Sequence, residues 1–415
     1  MKRLVLCCDG TWNHSVNTEV SNIEKLARSV RVGVQDDGVV QVVGYVGGVG
    51  ARGYLVDRLL GGAFGFGFTR NVIEGYRFLA MNYEPGDQIV VLGYSRGAYT
   101  ARSVVGMISQ VGLLRPESID AGMFCKAEAT YRLRQPSATA LARAQEVVLD
   151  QTAGPRARRK AAKVVAQARE VRSEKLRFRT MYSHKNVRIA LLGVFDTVGA
   201  LGVPGPSRRR SRFHDVSLAS IVDRARQALA IDERRLTFAP CLWQVPDGDP
   251  PGRVEQVWFP GTHGDVGGGG ARCGLSDLAL HWMADEVGDV GVRLDADRLP
   301  RCDGETPELL LNQAPPWPFR IINVVKRLRP RYAVVDGRQT FRQGLRLLAQ
   351  PQEGGGAWRD GVLLAGSAVR YVSDAGYDRV APNLRWWLEA AGGVDALPIE
   401  PVRAAAGDSR PFVLV

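Results

Sequence analysis

The amino-acid sequence predicts an α/β fold in which helices flank a mostly parallel central sheet. Short apolar runs rich in β-branched residues alternate along the chain with segments of helical periodicity, the pattern of parallel strands joined by helical crossovers. In addition, three of these runs lead into turns that carry a serine, an aspartate and a histidine. Because the carboxyl ends of parallel strands meet at one edge of a sheet, such a fold brings these turns together.

The first part of the predicted sheet lies within the N-terminal hundred residues. Residues 4–8 are predicted to form a buried strand that leads into a turn at Asp9, and residues 39–46 a second strand. Residues 71–82 have apolar side chains at helical spacing. A Pro-Gly-Asp turn follows and leads into a strand over residues 89–92.

The remaining predicted elements follow a long helical segment. Residues 117–186 are rich in Ala, Arg, Glu and Gln, which predicts a basic helical insertion placed like a cap. Strand character returns at residues 187–195 and 254–259, and a helix over residues 276–287 follows. Beyond residue 295 the periodicity becomes irregular, and Pro-rich and Gly-rich stretches indicate loops.

Positive charge is concentrated in one segment of this chain of 415 residues, whose net charge is +12. Residues 126–188 contain 16 Lys and Arg but only 5 Asp and Glu. Such a segment favours anionic partners, and we expect peripheral contact with an anionic membrane; a solvated helical face is the alternative. No nucleic-acid-binding motif is present, so nucleic acid is not an expected partner.

No sequence motif predicts a metal ion or a cofactor. The six cysteines lack metal-ligand spacing and are expected to be reduced thiols, and no phosphate-binding P-loop motif occurs. The apolar run near the N-terminus ends at Asp9, too early for a signal peptide, and no apolar run is long enough to span a membrane. We therefore expect a protein that is cytoplasmic when synthesised, with any export using a route independent of a signal peptide.

The segment Gly93-Tyr94-Ser95-Arg96-Gly97 has the pattern of a nucleophile elbow. It directly follows the strand at residues 89–92 and directly precedes a helical segment. Small residues on both sides of the serine let the backbone turn sharply from strand to helix, which exposes the hydroxyl. The motif alone is common in glycine-rich chains, and its position between a strand and a helix makes Ser95 a candidate nucleophile.

An acid and a histidine follow at later strand ends, in the chain order that α/β hydrolases use. Asp196 ends the strand at residues 187–195, and His263 follows the strand at residues 254–259. We expect His263 to take the serine proton and Asp196 to fix the histidine tautomer. Asp265 is the main alternative for the acid. Three strand ends in this order predict the α/β-hydrolase fold more strongly than the serine motif does.

The oxyanion hole of this fold uses the amide that follows the nucleophile, here that of Arg96, and one amide from an earlier loop. The turn after the first strand is the expected source, with Thr11 or Gly10 as the second donor. A plain β-turn stabilised by Asp9 is the alternative interpretation. A metal site built from Asp9, Asp196, His263 and Asp265 is a further, weaker alternative, because these residues lack the spacing of metal motifs.

Several longer motifs resemble a known family. They are Leu6-Cys7-Cys8-Asp9-Gly10-Thr11-Trp12-Asn13, the elbow with its continuation to Arg102, residues 193–199, 228–235, 258–268 and 275–280. In this order they resemble the uncharacterised α/β-hydrolase domain shared with the type VI secretion phospholipase effectors of the first Tle subfamily. The resemblance covers roughly residues 1–290. It implies a Ser-Asp-His triad at Ser95, Asp196 and His263, and a lipid or phospholipid ester as substrate.

The sequence thus predicts a serine ester hydrolase, lipase-like or phospholipase-like, that works through an acyl-enzyme. A catalytic domain is expected over residues 1–295, with residues 117–186 as its insertion and residues 296–415 as an extension packed on the core. No histidine occurs in residues 365–370, where the resemblance predicts a histidine-containing motif. A binding or accessory protein that keeps the hydrolase fold without catalysis is the alternative function.

Overall fold

The computed structural model describes residues 1–10, 20–48, 64–198, 218–245, 248–300, 308, 320, 323–324, 334–335, 338–348 and 362–400. The described strands are β1 (Lys2–Cys8), β2 (Gly33–Val34), β3 (Val40–Val46), β4 (Gln88–Tyr94), β5 (Ile189–Phe195), β6 (Val222–Ala230), β7 (Val254–Phe259), β8 (Val334–Val335), β9 (Arg338–Gln339), β10 (Phe341–Arg342), β11 (Leu345–Arg346), β12 (Val362–Ala365) and β13 (Ile399–Glu400). The described helices are α1 (Asn22–Ser29), α2 (Phe64–Asn82), α3 (Arg96–Val111), α4 (Pro116–Asp120), α5 (Phe124–Tyr131), α6 (Ala138–Leu149), α7 (Pro155–Tyr182), α8 (His263–Gly267), α9 (Gly274–Asp289), α10 (Gly366–Ala375), α11 (Tyr377–Val380) and α12 (Pro382–Ala391).

A nine-stranded sheet forms the centre of the molecule, in the order β13-β12-β7-β6-β5-β4-β1-β3-β2. Its pairings are parallel except that of β2 with β3 at one edge. The predicted fold class, α/β with a mostly parallel sheet flanked by helices, is confirmed. The strand order changes direction at the pair β1–β4, where the carboxyl ends of the two strands open a crevice that is the usual place for a site in such sheets.

Apolar side chains on the two faces of the sheet form two separate cores. The alternation of side chains along a strand sends Leu4 and Leu6 of β1 to one face, and Val5 and Cys7 to the other. The first face packs against α2 and α3, and the second against α1 and α9. Because both faces are covered, strands β1, β4 and β5 are apolar at nearly every position, and this is why they could be predicted from the sequence.

The C-terminal extension is more regular than the sequence predicts. Its strand β12 pairs in parallel with β7, and β13 pairs with β12, so the sheet continues beyond the last strand predicted from the sequence. Helices α10, α11 and α12 pack beside them on Trp258 of β7. These strands have four and two residues, which is too short for a periodicity to be read, and the prediction of an irregular extension was wrong for this part of it.

The insertion between α3 and β5 is helical in its described residues. It consists of α4 to α7, and α6 packs along the 28-residue α7. Phe178 of α7 joins the core on the α3 side of the sheet, while most of the basic side chains of α7 are exposed. Among the described helices none is both long and apolar enough to cross a bilayer.

Candidate active site

Ser95 lies at the carboxyl end of β4, on the turn into α3. Its backbone has φ 56° and ψ −118°, a conformation that side-chain-bearing residues rarely adopt. Such strain persists only where the surroundings impose it. The Ser95 amide donates to the carbonyl of Phe195 on the neighbouring strand at 3.0 Å, which holds the turn against the sheet. The tight strand–turn–helix geometry predicted from the sequence is therefore present.

The two glycines of the motif are required by close backbone contacts. A Cβ on Gly97 would lie 2.2 Å from the carbonyl oxygen of Cys8 and 2.3 Å from that of Asp9. A Cβ on Gly93 would lie 2.7 Å from the Cα of Ala98. Only glycine permits β4, the turn and the end of β1 to approach this closely.

The structure brings Ser95, His263 and Asp196 into one hydrogen-bonded chain. The Ser95 Oγ lies 2.8 Å from His263 Nε2, and His263 Nδ1 lies 2.5 Å from Asp196 Oδ2. All three side chains are buried. With Asp196 ionised, His263 Nδ1 carries the proton and donates it, which leaves Nε2 to accept from the serine hydroxyl.

His263 is the first residue of α8, and the turn before it is held by hydrogen bonds to two carboxylates. The Thr262 amide donates to Asp265 Oδ2 at 2.8 Å as part of a capping box, and the Thr262 hydroxyl donates to the same oxygen at 2.8 Å. The Gly261 amide donates to the buried carboxylate of Asp232 at 2.8 Å. Asp265, the alternative acid, is thus occupied with the cap of α8, whereas the Nδ1 of His263 contacts Asp196.

Aromatic rings fix the plane of the imidazole. The Tyr94 ring lies tilted at 4.9 Å from the His263 ring, and the Phe238 ring contacts it edge-on at 4.9 Å. The guanidinium of Arg235 lies over the Phe238 ring, and Arg235 also pairs with the buried Glu233. The rings restrict rotation of His263 and exclude water from its faces.

Arg346 is a residue of this site that the sequence did not reveal. It lies on β11 in the C-terminal extension and is fully buried, and its Nη1 and Nη2 donate to the two oxygens of Asp196 at 2.7 and 3.0 Å. Arg346 lies in a segment without clear periodicity, and no sequence pattern there indicates that it binds Asp196. The contact depends on how segments 150 residues apart pack together.

Burial and charge set the ionisation of the pair. Burial alone would raise the pKa of Asp196, but the Arg346 charge and the hydrogen bond from His263 outweigh it and hold that pKa well below its usual range. Burial lowers the pKa of His263 below its ordinary 6.5, although the hydrogen bond and charge of Asp196 act in the opposite direction. Asp196 is therefore an anion and His263 a neutral base at neutral pH.

The structure gives a different result for each of the three predicted oxyanion donors. Arg96 begins α3, so its amide belongs to the first turn of that helix at the nucleophile. The Gly10 amide donates to the carboxylate of Asp9 at 2.6 Å, which commits it to the turn after β1 in this conformation. This matches the alternative interpretation of a turn stabilised by Asp9. Thr11 lies outside the described residues.

The metal alternative receives no support from the part of the chain that the structure describes. There, the one group of carboxylate, thiol or imidazole side chains close enough to share an ion is Glu255, Glu286 and Glu400, and it includes none of the four residues proposed for the metal. In that group Arg226 pairs with Glu286 at 2.6 Å and with Glu255 at 3.2 Å. We assign no site to it.

Comparison with known proteins places this chain in a family. Residues 2–286 match the type VI secretion phospholipase effector Tle1-like catalytic domain. The chain belongs to this family. The Tle1-like domain thus includes Ser95, Asp196 and His263 and ends before Arg346. The resemblance found in the sequence motifs is confirmed.

Individual relatives of this Tle1-like chain are distant. An uncharacterized protein of Saccharomyces cerevisiae, YEL023C, is 27% identical over 250 residues, which are 57% of this chain and 32% of the yeast protein. The chain therefore matches about a third of the length of that relative. An uncharacterized protein from Pseudomonas aeruginosa has a TM-score of 0.35 and 17% identity, with 78% of this chain and 52% of that chain covered. The Tle1 effector bound to the VgrG spike of the type VI secretion system has a TM-score of 0.35 and 16% identity, with 75% and 76% covered.

Proposed function

We propose that this Tle1-like domain is a serine ester hydrolase of the phospholipase type. Ser95 is the nucleophile, His263 the general base and Asp196 the residue that orients and stabilises the histidine. The observation that carries the proposal is the hydrogen-bonded chain from Ser95 Oγ through His263 to Asp196 on a strained strand–helix turn. A serine hydroxyl is a weak nucleophile, and a buried neutral imidazole 2.8 Å away is what activates it.

The reaction proceeds in two halves. In the first, Ser95 Oγ attacks the ester carbonyl carbon while its proton moves to His263 Nε2. The tetrahedral intermediate collapses, the C–O bond to the alcohol breaks, and the alcohol leaves with the proton from Nε2. The acyl-enzyme remains. In the second half, a water gives a proton to His263 and attacks the acyl carbon, after which Ser95 leaves and regains the proton as the carboxylic acid departs.

Charge that develops on the carbonyl oxygen needs donors at the elbow. We propose the amide of Arg96 as one donor, since it follows the nucleophile and belongs to the first turn of α3, where the helix dipole favours negative charge. The loop after β1 is proposed to supply the second donor, with Thr11 as the candidate. Gly10 can serve only if its amide leaves the carboxylate of Asp9.

The substrate class follows from the family and from charge. We propose a phospholipid ester, reached at an anionic membrane through the basic segment at residues 126–188. Most of the basic side chains that this segment contributes to α7 are exposed to solvent. Each basic residue at an anionic bilayer surface contributes about 1 kcal/mol of binding. We also propose that the protein is synthesised in the cytoplasm and exported without a signal peptide. If the type VI apparatus exports it, cells in which that apparatus does not work should retain the protein.

One experiment tests both the substrate and the surface. Fatty-acid release is measured from vesicles of zwitterionic phospholipid with and without an anionic phospholipid, and from neutral esters. We expect release from phospholipid, faster on anionic vesicles. Reversal of three exposed α7 charges (R158E, R159E, K163E) should weaken binding to the anionic vesicles by at least about 100-fold, since roughly 1 kcal/mol is lost for each basic residue removed, and should leave turnover of a soluble ester unchanged.

A matched control uses three exposed arginines elsewhere on the surface, R31E, R272E and R379E. The control should retain most of the vesicle binding. Equal losses in the two triple variants would show that net charge, and not the α7 surface, governs the contact. Hydrolysis of neutral esters alone would contradict the phospholipid assignment while leaving the serine mechanism intact.

The pH dependence of kcat/KM reports His263. Because burial lowers the pKa of His263 below 6.5, the imidazole stays neutral and able to accept the serine proton down to that lower pH. We expect kcat/KM to be constant from neutral pH down to a point below 6.5 and then to fall about tenfold per pH unit as His263 gains a proton. Initial rates with a soluble ester across this range measure it, and an acidic limb above pH 7 would contradict the assignment.

A further inference from the structure

The two terminal nitrogens of the Arg346 guanidinium each donate to two acceptors at the back of the site, and its buried Nε has no hydrogen-bond partner among the described residues. Besides its two bonds to Asp196, its Nη1 donates to the carbonyl of Ala230 at 2.9 Å and its Nη2 to that of Phe238 at 2.6 Å. The side chain has no exposure to solvent, and neither has that of Asp196. This is the two-pronged geometry in which arginine binds a carboxylate with fixed orientation.

Asp196 depends on this partner. A buried carboxylate is costly unless it is paired and hydrogen-bonded. Apart from Arg346, Asp196 accepts from His263 Nδ1 and from the Ala230 amide at 3.2 Å. A neutral imidazole and an amide orient the carboxylate but do not balance its charge. Arg346 supplies the balancing positive charge. Its two terminal nitrogens, Nη1 and Nη2, both donate to Asp196 while the hydrogen bond between Asp196 and His263 is kept.

We propose that Arg346 is a positioning residue of the hydrolytic site, which holds Asp196 ionised and oriented toward His263, so that the C-terminal extension completes the active site. The inference rests on the proposed function, since it assigns Arg346 a role in the serine mechanism. Arg346 lies beyond residues 2–286, the part of the chain that matches the catalytic-domain family. The extension is therefore more than a cover for the edge of the sheet.

The extension fixes Arg346 from its own side as well. The Asn383 side chain on α12 donates to the carbonyl of Arg346 at 3.2 Å and to that of Ile231 at 2.9 Å. Asn383 thus links the backbone of β11 to the segment that follows β6. The arginine is held by its backbone and by its side chain, which gives Asp196 a rigid support.

Other ionisable groups also face the Asp196–His263 pair and must be separated from the effect of Arg346. Glu233 accepts the His263 backbone amide at 3.3 Å and pairs with Arg235, so the two largely balance each other. Tyr94 lies against the imidazole and is held protonated by burial, which raises its pKa well above the usual value. All of these groups remain in an Arg346 variant, so a change in the titration of the pair is attributable to the guanidinium.

The test is the pH profile of kcat/KM for R346M, R346K and the control R342M. Without the cation, the field of Asp196 favours a proton on the pair, so the acidic limb of R346M should move up by about 1 pH unit or more. R346K retains the positive charge but loses the paired Nη1 and Nη2 donors. The acidic limb of its profile should stay near that of the wild type, while its kcat falls. Arg342, an exposed arginine on the adjacent strand β10, should leave the limb unchanged.

A structural role alone predicts something different. Loss of packing would lower the melting temperature and the amount of active protein, without moving the limb of the fraction that remains active. Here kcat/KM is divided by the amount of protein whose Ser95 is reactive. If the acidic limb of R346M then lies at the same pH as that of the wild type, the proposal is overturned. Should R346M fail to fold, R346Q is neutral and polar and is read in the same way. Failure of the proposed function is recognised separately, because the wild-type protein itself would then lack Ser95-dependent turnover.

Discussion

Replacement of Ser95 by alanine is expected to lower kcat for ester hydrolysis by about 10⁶-fold, with the fold retained. The effect is large because the acyl-enzyme cannot form without the hydroxyl, and His263 alone activates water poorly. Alanine also keeps the Cβ atom at the turn. Turnover of a soluble ester, together with the circular dichroism spectrum and the melting temperature, measures the two parts of the expectation.

Ser109 provides the matched control for this variant. It lies on the same helix, α3, and is half-buried like many serines of a helix face. S109A should keep its turnover within about twofold, since Ser109 lies near the other end of α3 from Ser95 and takes no part in the hydrogen-bonded chain of Ser95, His263 and Asp196. Residual activity of S95A near that of S109A would mean that another group performs the hydrolysis.

Substitution of Gly97 by alanine is expected to destabilise the fold by more than about 3 kcal/mol. The added Cβ would meet the carbonyl oxygens of Cys8 and Asp9 at 2.2 and 2.3 Å. Both are backbone atoms of β1 and its turn, so neither can move aside as a flexible side chain would. Urea unfolding followed by fluorescence measures the change in the free energy of unfolding.

Gly106 on the same helix is the control for Gly97. A Cβ there would meet Tyr131 Oη at 3.6 Å, an ordinary contact, and alanine favours a helix interior over glycine by about 1 kcal/mol. G106A should therefore be neutral or more stable than the wild type. If G97A were as stable as G106A, the close approach of the elbow to β1 would be incorrect.

The parts of the site that the sequence predicts are those tied to strand ends. Ser95, Asp196 and His263 each follow an apolar strand that is buried on both faces, and parallel strands place their carboxyl ends together. The local pattern of each strand is therefore enough to predict their convergence. Asp265 was the alternative acid because it lies two residues after His263 in sequence. The geometry of the α8 cap and the contact of His263 Nδ1 with Asp196 distinguish the two carboxylates.

Other parts could not be predicted because their stability comes from distant contacts. Strand β6 carries Asp223, Arg224 and Arg226, which obscure its strand pattern, yet Arg226 is buried and paired with Glu286 of α9. Strands β12 and β13 are too short for a period, and they are held by pairing with β7 and by apolar packing. Arg346 follows the same rule, since its role depends on how the extension closes on Asp196.

Covalent labelling measures whether Ser95 is an activated nucleophile. A fluorophosphonate reacts with an activated serine through the oxygen that attacks phosphorus, and peptide mass spectrometry locates the adduct. We expect stoichiometric modification of folded wild-type protein at Ser95, loss of labelling in S95A, and strong slowing in H263A. Folded protein that stays unmodified at Ser95 under conditions that label other serine hydrolases would contradict the account and favour a binding protein that has kept the hydrolase fold.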